Sequence, residues 1–393
     1  MVHKSLPGRI GVVDQSFAGW TAAGIYSKMM IRSLESVCDQ TDCELYFLSP
    51  GEPSDDQFTK AEWIKLAPAQ SRALKGETRL RHLLHLTDDS DPFSVARKHG
   101  IEVLLPLLDV PPWEVASKLI GWIPDLQHVY LPEFFREPEL QNRNATIRRL
   151  ADRAAFIMLS SNAARKDFVS LIPEGDKKAR VLSFPSLLAF DNLSDHPQLS
   201  TTKFKLPDKY ALVANQFWAH KNHRIVVTAI SQLRDRGVTV PVVMTGLPVD
   251  YRDRNNSNFS SLLQAIASAG LNGQIIILGH VPYADLVNLM RTAALVIQPS
   301  RFEGWSTIVQ DAKALGRPLV CSDIAVHREQ APAALGFFSC DRPDGLADLL
   351  ARHWARLKAG PDTEMEKASL ATEREFARQY GEGLLRLCEE ACK

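Results

Sequence analysis

The 393-residue sequence lacks the motifs of several common protein classes. Its six cysteines form no Cys-x-x-Cys pair, so it shows no evident zinc or dithiol site. It contains no Gly-x-Gly-x-x-Gly, which weakens the case for a nicotinamide or flavin enzyme. Lysine plus arginine equal aspartate plus glutamate at 46 each, so no overall field attracts nucleic acid. We therefore expect no cofactor, no metal and no nucleic-acid partner.

The N-terminus and the apolar runs bear on the cellular compartment. Met1 to Gly8 leads into a strand pattern without the long apolar run and cleavage site of a signal peptide. No segment approaches the roughly 20 apolar residues that a membrane helix needs. The cysteines fit a reducing compartment best. We expect a cytoplasmic protein whose contact with a membrane is at most peripheral.

The alternation of apolar patterns predicts the fold class. Short strand-like runs alternate with amphipathic helical segments in both halves of the chain, which predicts two parallel, doubly wound α/β sheets. The stretch from Ser183 to Asp208 is richer in Pro, Ser, Asp and Thr. We therefore predict domains over 1–190 and 209–372, a linker over 191–208, and a final helix from about Glu373 to Leu387 within 373–393. The predicted strands are 9–14, 44–48, 101–106, 118–123, 155–159, 210–215, 241–245, 275–278, 295–298 and 319–321.

One unit, residues 295–321, carries the clearest chemistry. The apolar run 295–298 ends in Pro299-Ser300, and residues 306–315 then have helical periodicity until Gly316. Such a strand–turn–helix–strand unit places the turn and the free N–H groups of the helix start at the edge of a parallel sheet. Those N–H groups and the positive helix end suit a phosphate.

Two acids flank this helix start. Asp311 follows Glu303 by eight positions, about two helical turns, so the two carboxylates can hold opposite ends of one extended ligand. A ligand with hydroxyls at both ends and phosphate between them is a sugar nucleotide. A generic loop followed by a surface acid is the alternative interpretation.

The segment resembles the acidic motif of retaining glycosyltransferases of family 4, in which Pro-Ser, a spacer and Glu-Gly precede a helix that usually bears a second Glu. Here the second acid is Asp311, one methylene shorter. The resemblance implies a GT-B fold, with Glu303 on the sugar hydroxyls and Asp311 on the ribose. It implies donor contacts from Gly304, Trp305, Ser306, Thr307, Ile308 and Asp311.

A lysine beside a second helix start is the candidate for diphosphate binding. Lys221 lies in the polar turn between a predicted strand and helix, where it would stabilise charge on the departing nucleotide. Lys221-Asn222 resembles the family's Lys-Asn element. Most members carry an arginine about six residues earlier, whereas this chain has the uncharged Asn215-Gln216. The second cation is therefore unassigned, with Arg301 as a speculative substitute, and a solvated loop lysine is the alternative for Lys221.

Three weaker elements also resemble the family. Asp125, Gln127 and His128 follow a predicted strand, and by resemblance His128 lies beside the donor sugar, although a lone histidine is more often structural. Gly24 lies in a turn like the family's glycine-containing loop, with helix packing as an equally good explanation. His280 lies in a turn that contacts the base in the family.

The acceptor side is the least defined. The polar stretch 51–91 is the predicted place of acceptor recognition, since variable loops carry specificity. Nine basic residues between 143 and 180 fit either contact with anionic lipid or, more commonly, a solvated face. These residues are Arg143, Arg148, Arg149, Arg153, Arg165, Lys166, Lys177, Lys178 and Arg180.

The combined prediction is a retaining, metal-independent glycosyltransferase. It would move a mannosyl- or glucosyl-type unit from a UDP- or GDP-sugar to a glycan or lipid-linked acceptor in surface polysaccharide synthesis, at the inner face of the cytoplasmic membrane. His128, Glu303 and Lys221 are the predicted catalytic residues. The departures at Asn215-Gln216 and Asp311 keep open a sugar-nucleotide-binding module that has lost the reaction. A GT-B epimerase or phosphorylase is the rival enzyme.

Overall fold

The computed structural model describes residues 7–16, 21–38, 42–51, 60–67, 88–250, 252–253 and 255–393. Most of the predicted acceptor-recognition stretch, 51–91, lies outside the described residues. The chain divides into two compact units. Unit 1 comprises residues 1–126, 136–190 and 374–393, and unit 2 comprises residues 127–135 and 191–373.

Unit 1 contains a seven-stranded parallel sheet in the order β3-β2-β1-β4-β5-β6-β7. Most of its strand residues are buried, because helices cover both faces of a parallel sheet. The strands are β1 (Arg9–Val13), β2 (Glu44–Ser49), β3 (Glu62–Lys65), β4 (Val103–Leu107), β5 (Lys118–Ile123), β6 (Phe156–Leu159) and β7 (Ala179–Val181).

Unit 2 contains a six-stranded parallel sheet in the order β10-β9-β8-β11-β12-β13. The sequence order reverses between β8 and β11, which are neighbours in the middle of the sheet. The strands are β8 (Ala211–Ala214), β9 (Val242–Thr245), β10 (Ile275–Gly279), β11 (Leu295–Gln298), β12 (Leu319–Ser322) and β13 (Gly336–Phe338).

Helices connect the strands in the manner of doubly wound folds. Those of the first half are α1 (Thr21–Val37), α2 (Pro92–His99), α3 (Gln127–Tyr130), α4 (Glu137–Arg153) and α5 (Asn162–Leu171). Those of the second half are α6 (Gln198–Lys203), α7 (His223–Asp235), α8 (Ser257–Ser268), α9 (Tyr283–Thr292), α10 (Thr307–Ala314), α11 (Ala325–Gln330), α12 (Pro343–His353) and α13 (Thr363–Cys392).

The predicted fold class, two doubly wound parallel sheets, is confirmed. Each predicted strand lies within two residues of the observed one at either end, because buried parallel strands are short, apolar and bounded by turn residues. The last helix differs from its prediction. It begins at Thr363, ten residues before the predicted start, because the polar 363–372 segment gave no clear apolar periodicity.

The division of the chain differs from the predicted domains at residues 127–135, in the final helix and in the predicted linker, 191–208, which belongs to unit 2. Residues 127–135 follow β5 of unit 1 in sequence, yet they cluster with unit 2. The final helix contributes to both units, with residues up to 373 in unit 2 and the rest in unit 1. In unit 1 it packs on α1, where a Cβ on Gly381 would lie 2.3 Å from the Ser33 carbonyl oxygen.

Gly24 lies inside α1 rather than in the predicted turn, which corrects that part of the sequence interpretation. A Cβ at this position would lie 2.8 Å from the Cβ of Ser16, so glycine lets the start of α1 approach the segment that follows β1. This close approach supports helix packing as a reason for the glycine. Its predicted donor contact stays a prediction.

Five of the nine residues in the predicted basic cluster form ion pairs with acids: Arg143, Arg149, Arg153, Arg165 and Arg180. Ion pairs join Arg149 to Asp109 at 2.7 Å and Arg153 to Glu114 at 3.0 Å, and Arg165 pairs with Asp176. This pairing reduces the field that an anionic lipid surface would meet. Among the helices of the described ranges, none is long and apolar enough to cross a membrane.

Candidate functional site

The candidate site lies at the carboxyl ends of β8 and β11, where the strand order of the unit 2 sheet reverses. Ligands of open α/β sheets bind at such a switch point. The loop after β8 carries Lys221, and the loop after β11 carries Glu303. The two predicted residues, 82 positions apart in the chain, meet here.

Lys221 and Glu303 form an ion pair, with 2.6 Å between Nζ and Oε1. The two side chains are 15% and 9% exposed, so the pair is largely withdrawn from water. Lys221 ends a short 3-10 turn, and Asn222 then adopts a left-handed conformation with φ 56° that starts α7. A buried carboxylate needs such a partner, because an uncompensated buried charge is costly.

Gln298, the last residue of β11, connects this pair to the rest of the site. Its Nε2 donates to Glu303 Oε1 and to Ser306 Oγ, both at 3.0 Å, and lies 3.3 Å from Ser300 Oγ. Its Oε1 accepts a 2.7 Å hydrogen bond from Asn215 Nδ2. Gln298 is fully buried, so these bonds fix its amide in one orientation. The sequence analysis missed it, although a glutamine closing an apolar strand was a visible signal.

The start of α10 lies next in the chain. Ser306 is its N-cap and accepts from the Val309 N–H at 3.3 Å, as helix N-caps commonly do. Gln330 holds the Ser306 main chain at both polar groups, accepting from its N–H at 3.1 Å and donating to its carbonyl at 2.7 Å. The turn that precedes the helix is therefore fixed, and the N–H groups of Thr307 and Ile308 lie at its positive end.

Asp311, the second acid, is 5% exposed on the inner side of α10. Its Oδ2 accepts a 3.2 Å hydrogen bond from the hydroxyl of Tyr283. Gly304 is buried just before α10, and Trp305 is half-buried beside it. Glu303 lies three residues before the N-cap Ser306, and Asp311 lies within α10.

A second chain of hydrogen bonds holds the other end of the β11–α10 loop. The Ser322 hydroxyl donates to the Ser300 carbonyl at 2.5 Å, so it can only accept from His327 Nδ1 at 3.0 Å. We assign the Nδ1–H tautomer from this network, since Nδ1 also lies 3.1 Å from the Ser322 carbonyl. Burial lowers the pKa of His327, which keeps the ring neutral.

Arg252 is a further residue that sequence reasoning missed. Its guanidinium pairs with Asp250, with Nε to Oδ1 and Nη2 to Oδ2 both at 2.9 Å, and donates from Nη1 to Gln127 Oε1 at 2.9 Å. Its Nη2 also lies 3.3 Å from Nδ1 of His220, the neighbour of Lys221. Burial lowers the pKa of His220 well below its usual value, and the cationic Lys221 and Arg252 lower it further.

Replacing Arg252 by lysine is expected to lower stability by about 1–2 kcal/mol, because an ammonium keeps the charge but cannot make the forked contacts of a guanidinium. Chemical denaturation with a transition midpoint and slope measures this loss. The matched control is Arg234→Lys at the exposed Arg234–Asp235 pair, where the change is expected to stay within about 0.5 kcal/mol. Equal losses in the two variants would contradict the bridging role of Arg252.

The remaining predicted residues are placed as follows. Gln127 contacts Arg252, and His128, 3% exposed, packs its ring edge-on at 6.3 Å from Phe135. Asp125 belongs to unit 1, where it lies 4.0 Å from Arg143. His280 is exposed after β10.

The uncharged pair before Lys221 has clear structural roles. Asn215 holds Gln298, and Gln216 Oε1 accepts from the Leu247 N–H at 2.6 Å. A Cβ on Gly246 would lie 2.1 Å from the Asn215 carbonyl oxygen, so the β8 and β9 ends pack closely here. Arg301, the speculative second cation, pairs with Asp341 at 2.6 Å. Because Asn215 anchors Gln298, an arginine at position 215 would remove that anchor.

The arrangement suits an anionic ligand with hydroxyl groups. A cation and a helix N-terminus lie beside a carboxylate that can accept hydrogen bonds, and the surrounding amides fix their positions. Within the described ranges no cluster of three or more His, Cys, Asp or Glu residues has metal-binding geometry.

Over nearly its whole length the chain has the GT-B glycosyltransferase fold. Sucrose-phosphate synthase from Thermosynechococcus elongatus superimposes with a TM-score of 0.65 at 14% identity, covering 97% of this chain and 96% of that one. The Anabaena HepE protein, in its complex with UDP-glucose, gives a TM-score of 0.63 at 13% identity, covering 98% of this chain and 99% of HepE.

The family-model match lies within unit 2. Residues 198–363 match the model of the family described as glycosyl transferases group 1. O-antigen chain mannosyltransferase B of Escherichia coli is 23% identical over 205 residues, which is 51% of this chain and 51% of that protein. The chain thus aligns with about half the length of this curated relative.

Proposed function

We propose that the protein is a retaining glycosyltransferase of the family 4 type. It moves a hexosyl unit from a UDP- or GDP-sugar to a hydroxyl of a glycan or lipid-linked acceptor in surface polysaccharide synthesis. The observation that carries the proposal is the Lys221–Glu303 pair, 2.6 Å apart, beside the start of α10 at the switch point of the sheet. The group 1 match over 198–363 and the mannosyltransferase relative support it.

Donor binding exchanges the partners of this pair. Lys221 Nζ moves from Glu303 onto the diphosphate, whose other oxygens meet the N–H groups of Thr307 and Ile308 at the positive end of α10. Glu303, released from the lysine, accepts hydrogen bonds from the sugar hydroxyls. Asp311 binds the ribose diol. UDP-glucose in the HepE complex supports a nucleotide sugar as the donor.

Catalysis in this proposal rests on positioning and on charge stabilisation. The bond between the anomeric carbon and the diphosphate oxygen breaks, and the acceptor oxygen bonds to the same face of the sugar. The acceptor proton passes to the leaving phosphate oxygen, and Lys221 stabilises the charge that grows there. His128 orients the sugar or the incoming hydroxyl. The reaction needs no metal, since lysine and the helix start supply the positive charge.

The test is a turnover assay by NMR with UDP-glucose or GDP-mannose and a panel of methyl pyranosides. Release of UDP or GDP together with a new α-glycosidic linkage supports a retaining transferase, and the same rate with EDTA supports metal independence. Glu303→Gln tests the role of the carboxylate, because it keeps the shape of the side chain and removes its charge. We expect it to lose most of the turnover.

Other outcomes identify the rivals. Conversion of the sugar nucleotide without release of nucleoside diphosphate indicates an epimerase. Stabilisation of the protein by a nucleotide sugar with no turnover under any acceptor indicates a binding module. A β-linked product contradicts retention, and loss of turnover in EDTA contradicts the metal-independent reaction.

A further inference from the structure

An aromatic pair of unit 2, one ring exposed and one half-buried, is formed by residues adjacent in the chain to the candidate site. The rings of Tyr130 and Phe302 have centroids 5.4 Å apart and planes inclined by 30°. Tyr130, at the end of α3, is 55% exposed, and Val129 beside it is 46% exposed. Leaving a large aromatic side chain in water forgoes the favourable free energy of its burial, so a partner that covers it gains that free energy.

The members of the pair are close in sequence to residues that the proposed function uses. Phe302 immediately precedes Glu303, whose carboxylate faces Lys221 and Gln298. Tyr130 follows His128 by two residues in the same short helix. We call this pair the Tyr130–Phe302 platform. In sequence, Phe302 is one position from Glu303 and Tyr130 is two positions from His128, the two residues that the proposed function uses.

The chemistry of a pyranose ring matches this arrangement. A pyranose carries C–H groups on its faces and hydroxyls around its rim, so one face packs on an aromatic ring while the rim forms hydrogen bonds. The two rings are too close to lie side by side in one plane, so they pack partly face to face, and Tyr130, 55% exposed, keeps apolar ring surface for such a face. The tyrosine hydroxyl adds a polar group at the edge of that surface.

We propose that the Tyr130–Phe302 platform binds the pyranose ring of the acceptor. The inference rests on the proposed function and names the acceptor subsite of the same site. The reacting donor sugar needs a place from which water is excluded, whereas an acceptor glycan must continue into solvent. A platform whose tyrosine is 55% exposed meets the second requirement.

The test is saturation-transfer NMR on the full chain with methyl α-D-mannopyranoside, glucopyranoside and galactopyranoside, each with UDP or GDP present. We expect saturation of the ring C–H protons by the wild type. Tyr130→Ala and Phe302→Ala are expected to weaken binding about three- to tenfold, the range of an aromatic contact. Tyr130→Phe keeps the ring and retains binding. Leu199→Ala, at another exposed apolar residue of unit 2, is the control and is expected to change nothing.

The outcomes separate this inference from the proposed function. Nucleotide binding without any pyranoside signal, or with equal signals in Tyr130→Ala and the wild type, overturns the platform alone. Pyranoside binding at the wild-type level in Tyr130→Leu also overturns the platform, because leucine keeps apolar area but has no aromatic face. That result would indicate a surface suited to an acyl chain. If neither UDP nor GDP binds the wild type, both the platform and the proposed donor site fall.

Discussion

Lys221→Ala is expected to lower kcat/KM by about 10²- to 10³-fold, the effect of removing one group that stabilises charge in a transition state. The reason is that donor binding, as proposed, moves Lys221 onto the diphosphate and leaves Arg252 and Arg301 paired with Asp250 and Asp341. Steady-state kinetics with the donor identified in the turnover assay measures the change. Lys203→Ala, at the Lys203–Asp285 pair of unit 2, is the matched control and is expected to act like the wild type.

The same substitution also leaves Glu303 without its partner at 9% exposure, so part of its effect is on stability. A Lys221→Ala, Glu303→Gln double variant separates the two roles. It is expected to recover stability, because no uncompensated charge is left, while turnover stays low. A Lys221→Ala enzyme that keeps kcat/KM within about threefold of the wild type would contradict the role of the lysine.

Gln298→Leu is expected to lower the free energy of unfolding by about 2–4 kcal/mol, because it leaves several buried polar groups unpaired at once. Asn215 Nδ2, Glu303 Oε1 and Ser306 Oγ each lose a hydrogen bond. We also expect kcat/KM to fall about 10- to 100-fold, since the carboxylate of Glu303 loses an anchor. Denaturant unfolding and steady-state kinetics on the same preparations measure the two effects.

A double variant tests the pairing of Asn215 with Gln298. Replacing both partners of a buried hydrogen bond by apolar groups can be nearly neutral, so Asn215→Leu with Gln298→Leu is expected to recover part of the stability. Activity is not expected to recover, because Glu303 still lacks its amide partner. If the loss of stability in the double variant equals the sum of the losses in the two single variants, Asn215 and Gln298 are not coupled.

The parts of the site that sequence predicted are those set by local patterns. A strand that ends in Pro299-Ser300, followed by an N-capped helix, has a readable periodicity, and the carboxyl ends of parallel strands meet at one edge. Lys221 and Glu303 were predicted from those patterns, and the structure joins them at 2.6 Å. The same reasoning predicted the two parallel sheets.

The parts that sequence did not predict depend on contacts between distant segments. In the sequence Gln298 is only the last residue of an apolar strand. Its role follows from the hydrogen bond that Asn215, 83 positions earlier, donates to it. Arg252 donates a hydrogen bond to Gln127, 125 positions away, and no local pattern predicts that contact. Gly24 was predicted to lie in a turn, because the close approach of Ser16, which requires the glycine, leaves no local pattern in the sequence.

The exchange of partners by Lys221 is the central claim of this account, and a crystal structure of the protein with a bound UDP- or GDP-sugar tests it most directly. The account predicts that the 2.6 Å contact between Lys221 Nζ and Glu303 Oε1 opens. Nζ then lies within hydrogen-bonding distance of a diphosphate oxygen, and Glu303 accepts from a sugar hydroxyl. A nucleotide bound elsewhere, or a bound nucleotide sugar with the lysine–glutamate pair still closed, would contradict it.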